Sequence, residues 1–202
     1  QAVSRGLGDV YKRQSITSNT SVIAGIDEAG RGALAGPVVA GACILPTGKK
    51  LHPLIQDSKQ LTSDQREEAY AWIAKHCVFG VGMQSESVID NEGILAATER
   101  AMQLAVADLA TKTAPTYLLV DGRDAFWFDY PHSSIIGGDG IEPCIAAGSI
   151  VAKVTRDRLL CEVDPTYPHY GFAQHKGYGS EQHRAAIAKY GTCAIHRLTY
   201  LT

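Results

Sequence analysis

The sequence predicts an α/β protein with a mixed central β-sheet flanked by helices, plus a C-terminal helical segment. Two observations carry that expectation. Short apolar runs rich in β-branched residues come early in the chain, and segments with helical periodicity lie between and after them. Glycine and proline punctuate the junctions, as at Gly36-Pro37 and Asp164-Pro165.

Taken in order, residues 22–26 and 38–44 read as strands, the second directly after Gly36-Pro37. Residues 45–59 read as a polar loop. Thr62 and Gln65 make a capping-box pattern ahead of a helix over 66–76. Val78, Gly80, Gly82 and Gln84 alternate with Phe79, Val81 and Met83, which suits a third strand. Residues 91–110 read as one helix with Leu95, Met102, Val106 and Leu109 on a single stripe. Residues 116–120 form a buried strand ending at Asp121, and 134–136 a weaker one before Gly137-Gly138-Asp139. Pro143 fits the first turn of a helix running to about residue 163, where Asp164-Pro165 ends it. Ser180 can cap a last helix that stops at Gly191.

At 202 residues and 45% hydrophobic composition, the chain suits one domain with a substantial core, expected over 15–202. No apolar run approaches the roughly 18 residues of a membrane span, and the N-terminal stretch lacks the apolar core of a signal peptide. Cys43, Cys77, Cys144, Cys161 and Cys193 are scattered and odd in number, with no CxxC pair. They read as reduced thiols of a cytoplasmic protein, which excludes a disulfide framework and a zinc site. A monomer is expected. Residues 4–14, SRGLGDVYKRQ, resemble the translation of a transposase sequencing adapter, so residues 1–14 are set aside from fold reasoning. Without Arg5, Lys12, Arg13 and Asp9, three positive charges and one negative, the formal charge falls from −2 to −4. Bulk charge therefore does not point to nucleic acid, and any such binding needs a local basic face or bound metal.

Four carboxylates stand out by position. Asp27 and Glu28 follow the run at 22–26, Asp121 follows 116–120, and Asp139 follows two glycines. Side chains at the ends of neighbouring strands can converge on one sheet edge. Clustered carboxylates hold hard divalent cations such as Mg²⁺ without histidine or cysteine. Two such ions about 4 Å apart can activate a water and stabilise the leaving oxygen of a phosphodiester. Taken singly, an acidic residue after a strand is ordinarily a solvated turn former, so position alone leaves both readings open. The acidic cluster argues against metal binding by His175, His183 and His196, and His175 reads as structural or phosphate-contacting.

The surrounding residues narrow the choice. The segment Gly25-Ile26-Asp27-Glu28-Ala29-Gly30-Arg31-Gly32, followed by Gly36-Pro37, resembles the DEAGRG signature of the ribonuclease HII family. The resemblance continues through Asp57-Ser58-Lys59-Gln60-Leu61, Leu119-Val120-Asp121-Gly122 and Gly137-Gly138-Asp139. It resumes in the run from Ile145 to Asp157 and ends with Tyr170-Gly171-Phe172, His175-Lys176-Gly177-Tyr178 and Ile195-His196-Arg197. It thus spans about residues 22 to 198, with several motifs in order. The resemblance implies a ribonuclease H-like fold and an endonuclease dependent on Mg²⁺ or Mn²⁺. Such an enzyme acts on the RNA strand of RNA–DNA hybrids and cuts 5′ of ribonucleotides embedded in duplex DNA, leaving 3′-hydroxyl and 5′-phosphate ends. It places the catalytic, metal-binding set on Asp27, Glu28, Asp121 and Asp139. It places recognition of the 2′-hydroxyl on Gly30, Arg31 and Gly32, and sugar packing on Tyr178.

The physics agrees. Glycines let backbone approach a groove with no Cβ in the way, and the 2′-hydroxyl, both donor and acceptor, is the handle that distinguishes RNA from DNA. Arg31 can make a charge-assisted phosphate contact. Lys59, Lys153, Arg156, Lys176 and Arg184 are candidate phosphate contacts that position a duplex without reading its sequence; the plain alternative for each is a solvated surface charge. Two departures stand out. Gly148 sits where the family more often has alanine, at an expected cost of up to about 1 kcal/mol to its helix and away from any ligand. Glu142 adds negative charge beside Asp139.

Three other readings fit less well. Ribonuclease HIII resembles this fold and chemistry but carries an extra N-terminal domain and lacks the intact arginine between the glycines. A dinucleotide-binding oxidoreductase needs G-x-G-x-x-G ahead of a helix, whereas Gly30-x-Gly32-x-x-x-Gly36 is followed by Pro37 and a strand-like run. A non-catalytic hybrid-binding module has no support while all four carboxylates are present.

Overall fold

The computed structural model describes residues 21–201; the adapter-like segment at 1–14 and Thr202 lie outside them. Five strands, β1 (Ile23–Ala29), β2 (Val38–Ile44), β3 (Val78–Gln84), β4 (Tyr117–Asp121) and β5 (His132–Ile135), form one sheet in the order β3-β2-β1-β4-β5. The pairs β1–β2 and β2–β3 are antiparallel, while β1–β4 and β4–β5 are parallel. The sheet is therefore mixed, as expected.

Among the described residues six α-helices accompany it: α1 (Ser63–His76), α2 (Glu86–Glu92), α3 (Ile94–Lys112), α4 (Pro143–Val163), α5 (Phe172–His175) and α6 (Glu181–Tyr190). The Thr62–Gln65 capping box is formed in both directions, which accounts for the sharp start of α1. The stretch expected as one helix over 91–110 is divided, because Gly93 adopts a φ of 85° between α2 and α3. Met102, Val106 and Leu109 of α3 are buried as expected, but Leu95 is 51% exposed. Among the described residues no helix is long and apolar enough to cross a membrane.

Strand alternation sorts the two faces of the sheet. Ala24, Ile26, Ala40, Ala42, Leu118 and Val120 face α3, whereas Cys43, Phe79 and Val81 face α1 and α4. Full burial of side chains such as Ile26, Leu109 and Leu118 contributes about 1.5–3 kcal/mol each.

Where α4 crosses the sheet, contact is backbone to backbone. A Cβ on Gly25 would lie 2.2 Å from the Cys144 carbonyl carbon, and one on Gly41 would lie 2.4 Å from Gly148 O. A Cβ on Gly148 would meet Gly41 O at 2.8 Å, Gly25 O at 3.0 Å and Asp27 N at 3.4 Å. Gly148 is therefore not a neutral weakness in a helix remote from the site. It lets α4 lie directly on the strand that carries Asp27.

Candidate active site

The strand expected to end at residue 26 runs on to Ala29, so Asp27 and Glu28 sit within β1, paired with Gly41 and Ala40 of β2. The parallel pairing of β1 with β4 matches Ile26 to Val120. Asp27 and Asp121 are thus the next residues on two adjacent parallel strands, and both face α4. Asp139 reaches them from the 3-10 turn Gly138–Gly140, entered through Gly137 in the left-handed conformation. Gly138 N–H donates to Asp121 Oδ1 at 2.6 Å, tying that turn to β4.

Each of Asp27, Asp121 and Asp139 presents a carboxylate oxygen within 4.8 Å of the others, with Asp27 and Asp139 buried. Glu28 is not part of this set. It stands beside it: its carboxyl hydrogen-bonds Asp27 and feels the charge of Asp121, while Arg31 Nη1 lies 3.3 Å from Glu28 Oε1 and 2.9 Å from Asp124 Oδ2. Burial first, then the negative charge of Glu28, pushes the Asp27 carboxyl well above its ordinary range; burial also raises Glu28, opposed by Arg31. The chemistry of this donor set fits a hard divalent cation: all-oxygen, anionic, and destabilised by its own concentration of charge.

The neighbours hold the set in place. Ser149 on α4 hydrogen-bonds Asp27, favouring its charged form, and its hydroxyl lies 2.8 Å from that of Ser58 in a buried pair. Adjacent to Ser58, Lys59 Nζ approaches Asp139 Oδ2 at 2.7 Å. One short turn therefore touches both sides of the carboxylate cluster. Asp57 caps that turn through Lys59 N–H, and Arg66 grips it through the carbonyls of Ser58 and Leu61.

The loop of Gly30, Arg31 and Gly32 is clamped from behind. Arg197 donates to Arg31 O at 2.9 Å and to Gly36 O, and the Tyr200 hydroxyl donates to Arg31 O at 3.0 Å. Arg156, expected as a phosphate contact, is corrected to an internal role. It is 0% exposed, and its guanidinium donates to the carbonyls of Pro37, Lys176 and Ala35. Gly30 has a φ of +95°, and a Cβ there would lie 2.0 Å from Arg156 Nε, so the fold itself demands glycine. Gly32 differs: its φ is not in the left-handed range, and a Cβ would meet nothing within 4 Å. Nothing inside the protein requires glycine at that position.

Tyr178 stands beside two cations, with Lys153 Nζ 5.3 Å and the Arg156 guanidinium carbon 5.1 Å from its ring centre. Lys153 is also paired with Asp157 at 2.7 Å. Lys176, at a φ of 53°, turns its ammonium onto the Ala173 carbonyl. Arg184 bonds the Gly179 carbonyl from an exposed position. His175 is structural, with one ring nitrogen on Tyr170 O and the other accepting from Gly177 N–H.

Behind Tyr178, His183 Nε2 and His196 Nε2 stand 3.1 Å apart, so only one of them carries a proton. Cys193 N–H donates to His196 Nδ1, which leaves that proton on His196 Nε2; His183 then donates from Nδ1 to Tyr178 O at 2.9 Å. Burial pulls His183 down to about 4 and lowers His196 as well.

Sequence reasoning missed Asp124, Ser58, Ser149 and Tyr200 as parts of the site. Ser58 and Ser149 lie inside the quoted motifs, but nothing local in the sequence marks their contacts with the cluster.

A mixed sheet in this order, with three carboxylates at the end of its parallel pair beside a clamped glycine loop, defines an α/β nuclease of the ribonuclease H-like class. The ribonuclease HII family model matches residues 24–202. Ribonuclease HII of Geobacter sulfurreducens is 52% identical over 179 residues, 88% of this chain and 81% of that protein. Ribonuclease HII of Acetivibrio thermocellus is 47% identical over 192 residues, 95% of this chain and 74% of that protein. The solved complex of PCNA with RNase HII from Archaeoglobus fulgidus shares the fold with a TM-score of 0.72 and 26% identity, covering 88% of this chain and 94% of that one. The chain belongs to the ribonuclease HII family, endonucleases that hydrolyse RNA in RNA–DNA hybrids.

Proposed function

We propose that this protein incises duplex DNA 5′ of embedded ribonucleotides and cuts the RNA strand of longer hybrids, using Mg²⁺ or Mn²⁺ held by Asp27, Glu28, Asp121 and Asp139. The convergence of three carboxylate oxygens within 4.8 Å, on strand ends beside the clamped loop, carries this reading. When bound, such ions supply Lewis-acid stabilisation of the phosphate and activation of the attacking water. Glu28 holds Arg31 and adds its charge to the Asp121 side of the cluster.

The remaining steps belong to the chain's own groups. Gly32 presents backbone with open space where a side chain would stand, as approach to a ribose 2′-hydroxyl requires. Arg31, half committed to Glu28 and Asp124, orients the adjoining phosphate. Tyr178 packs the following sugar, with Lys153 placing positive charge over its ring. Lys59 and Lys176 have ammonium groups close enough to the surface to meet the backbone and fix the duplex in register. All of these groups come from one chain, so a single copy suffices.

The test is a DNA duplex carrying one ribonucleotide, incubated with Mg²⁺ or Mn²⁺ beside an all-DNA duplex. Cleavage 5′ of the ribonucleotide is expected, abolished by EDTA and reduced by roughly a thousandfold in Asp121→Asn. The amide introduced by that substitution retains an oxygen for Gly138 N–H, so circular dichroism should match the parent. Folded protein that leaves both this duplex and a long hybrid intact would refute the reading.

A further inference from the structure

Arg197 pairs with the segment behind the Gly30–Gly32 loop, its N–H donating to Leu34 O, and then opens the 3-10 turn Leu198–Tyr200. It occupies the N-cap position of that turn, where serine, threonine, aspartate or asparagine would accept the first free N–H groups. Arginine has no side-chain acceptor, and its guanidinium is committed to Gly36 O and Arg31 O. The acceptor comes from α2 instead. Asp90 Oδ2 accepts from Leu198 N–H at 2.8 Å, while Oδ1 accepts from Thr199 N–H at 3.1 Å and from the Thr199 hydroxyl at 2.6 Å. A residue 108 positions before Leu198 thus caps the turn that carries Tyr200.

α2 is a firm base for that contact. Ser85 caps it through Val88 N–H, and Ile89, beside Asp90, is buried in the core. Tyr200 packs against the same core, with its ring centre 5.3 Å from the Arg197 guanidinium carbon. The Tyr200 hydroxyl and Arg197 Nη1 then donate to one acceptor, Arg31 O, at 3.0 and 2.9 Å. Two donors occupy both lone pairs of that carbonyl and fix the peptide plane to which it belongs. In a trans peptide the C=O and the following N–H point in opposite directions. Holding Arg31 O inward therefore turns Gly32 N–H outward, at an exposed residue where a Cβ would meet nothing within 4 Å.

We propose that Asp90 is a positioning residue of this nuclease: by capping the Leu198–Tyr200 turn it sets the Arg31–Gly32 peptide, a role that rests on the proposed contact of that loop with the 2′-hydroxyl. Asp90 works through Tyr200. Without its carboxylate the turn's N–H groups pass to water and Tyr200 loses its fixed approach. Arg31 O then keeps Arg197, which Gly36 O still anchors, as its one firm donor.

The experiment compares the full chain with Asp90→Ala, Tyr200→Phe and the double variant. Hydrogen exchange of peptides covering residues 30–36 reports on the loop without substrate, and should quicken about fivefold or more in Asp90→Ala while β4 keeps the parent rate. Cleavage 5′ of a single ribonucleotide is measured per folded molecule, counted by near-ultraviolet circular dichroism, so that lost stability alone leaves it unmoved. Asp90→Ala should lower kcat/KM about tenfold with an unchanged Mn²⁺ requirement, and the double variant should lose no more than the worse single variant. Unchanged loop exchange, unchanged kcat/KM, a shifted Mn²⁺ requirement, or losses that multiply in the double variant would each overturn the proposal. Parent protein that cuts nothing refutes the nuclease reading instead, and loop exchange then judges Asp90 by itself. If Asp90→Ala does not fold, Asp90→Asn decides, because it keeps one acceptor oxygen: a loss of roughly threefold or more supports the role, and no change overturns it.

Discussion

Lys59 Nζ rests 2.7 Å from Asp139 Oδ2, although the lysine side chain is 74% exposed and the aspartate's 8%. A solvated cation thus neutralises one carboxylate of the cluster proposed to hold a metal ion. Lysine and metal compete for the same oxygen, so Lys59→Ala should tighten Mn²⁺ binding. Exposure limits the effect to about 1 kcal/mol, at most roughly fivefold. The same variant should raise KM for a ribonucleotide-containing duplex, because the freed ammonium is then missing from the phosphate. Calorimetry checks the first outcome and steady-state cleavage the second; weaker Mn²⁺ binding would show that Lys59 organises the site rather than competing for it.

The backbone crossing of α4 over the sheet gives a ranking. Alanine at Gly25 or Gly41 meets backbone atoms at 2.2 and 2.4 Å, whereas alanine at Gly148 first meets one at 2.8 Å and gains helix propensity. Gly25→Ala and Gly41→Ala should each cost about 3 kcal/mol or more. Gly148→Ala should be the mildest of the three. Urea unfolding with an unchanged slope would measure the order, and a reversed order would show that α4 can stand off from the strands.

The buried histidine pair predicts a pH dependence with a definite sign. His183 ionises near 6.5 in an unfolded chain and near 4 when folded, so the unfolded state binds more protons between those values. Its contribution is fully present above pH 6.5 and is lost as the pH falls towards 4, amounting to about 3 kcal/mol. The difference in unfolding free energy between the parent and His183→Asn should shrink across that window. A constant difference would show that His183 is not held neutral.

Arg156 sets a structural prediction against its first reading. A lysine cannot reach the carbonyls of Pro37, Ala35 and Lys176 together, because it lacks the planar fork. Arg156→Lys should therefore lower stability by about 3 kcal/mol or more. The salt dependence of duplex binding should stay as in the parent. Parent-like stability with a shallower salt slope would restore Arg156 to the phosphate contacts.

Much of this was legible in the sequence because it is local. Capping at Thr62, the strand ending at Asp121 and the turn before Asp139 are written in neighbouring residues. The end of β1 was misplaced because Asp27 and Glu28 resemble turn formers, while their pairing with Gly41 and Ala40 depends on a strand formed elsewhere in the chain. Arg156 looked like a surface cation because arginine ordinarily is one; only the folded chain brings carbonyls at 35, 37 and 176 around it. Asp124 and Ser58 act through partners 93 and 91 residues away, and no local pattern announces such a pair.

The clamp on the Gly30–Arg31–Gly32 loop has a consequence for the order in which the enzyme becomes competent. The carboxylates are complete once Asp139 has been made, but the loop is backed by Arg156 against Gly30 and gripped by Arg197 and Tyr200, far later in the chain. A nascent chain that has reached α4 holds every member of the cluster and a Gly30–Gly32 loop still without its Arg197 and Tyr200 anchors. Closure of this loop thus waits on residues made about sixty positions after the last carboxylate of the cluster.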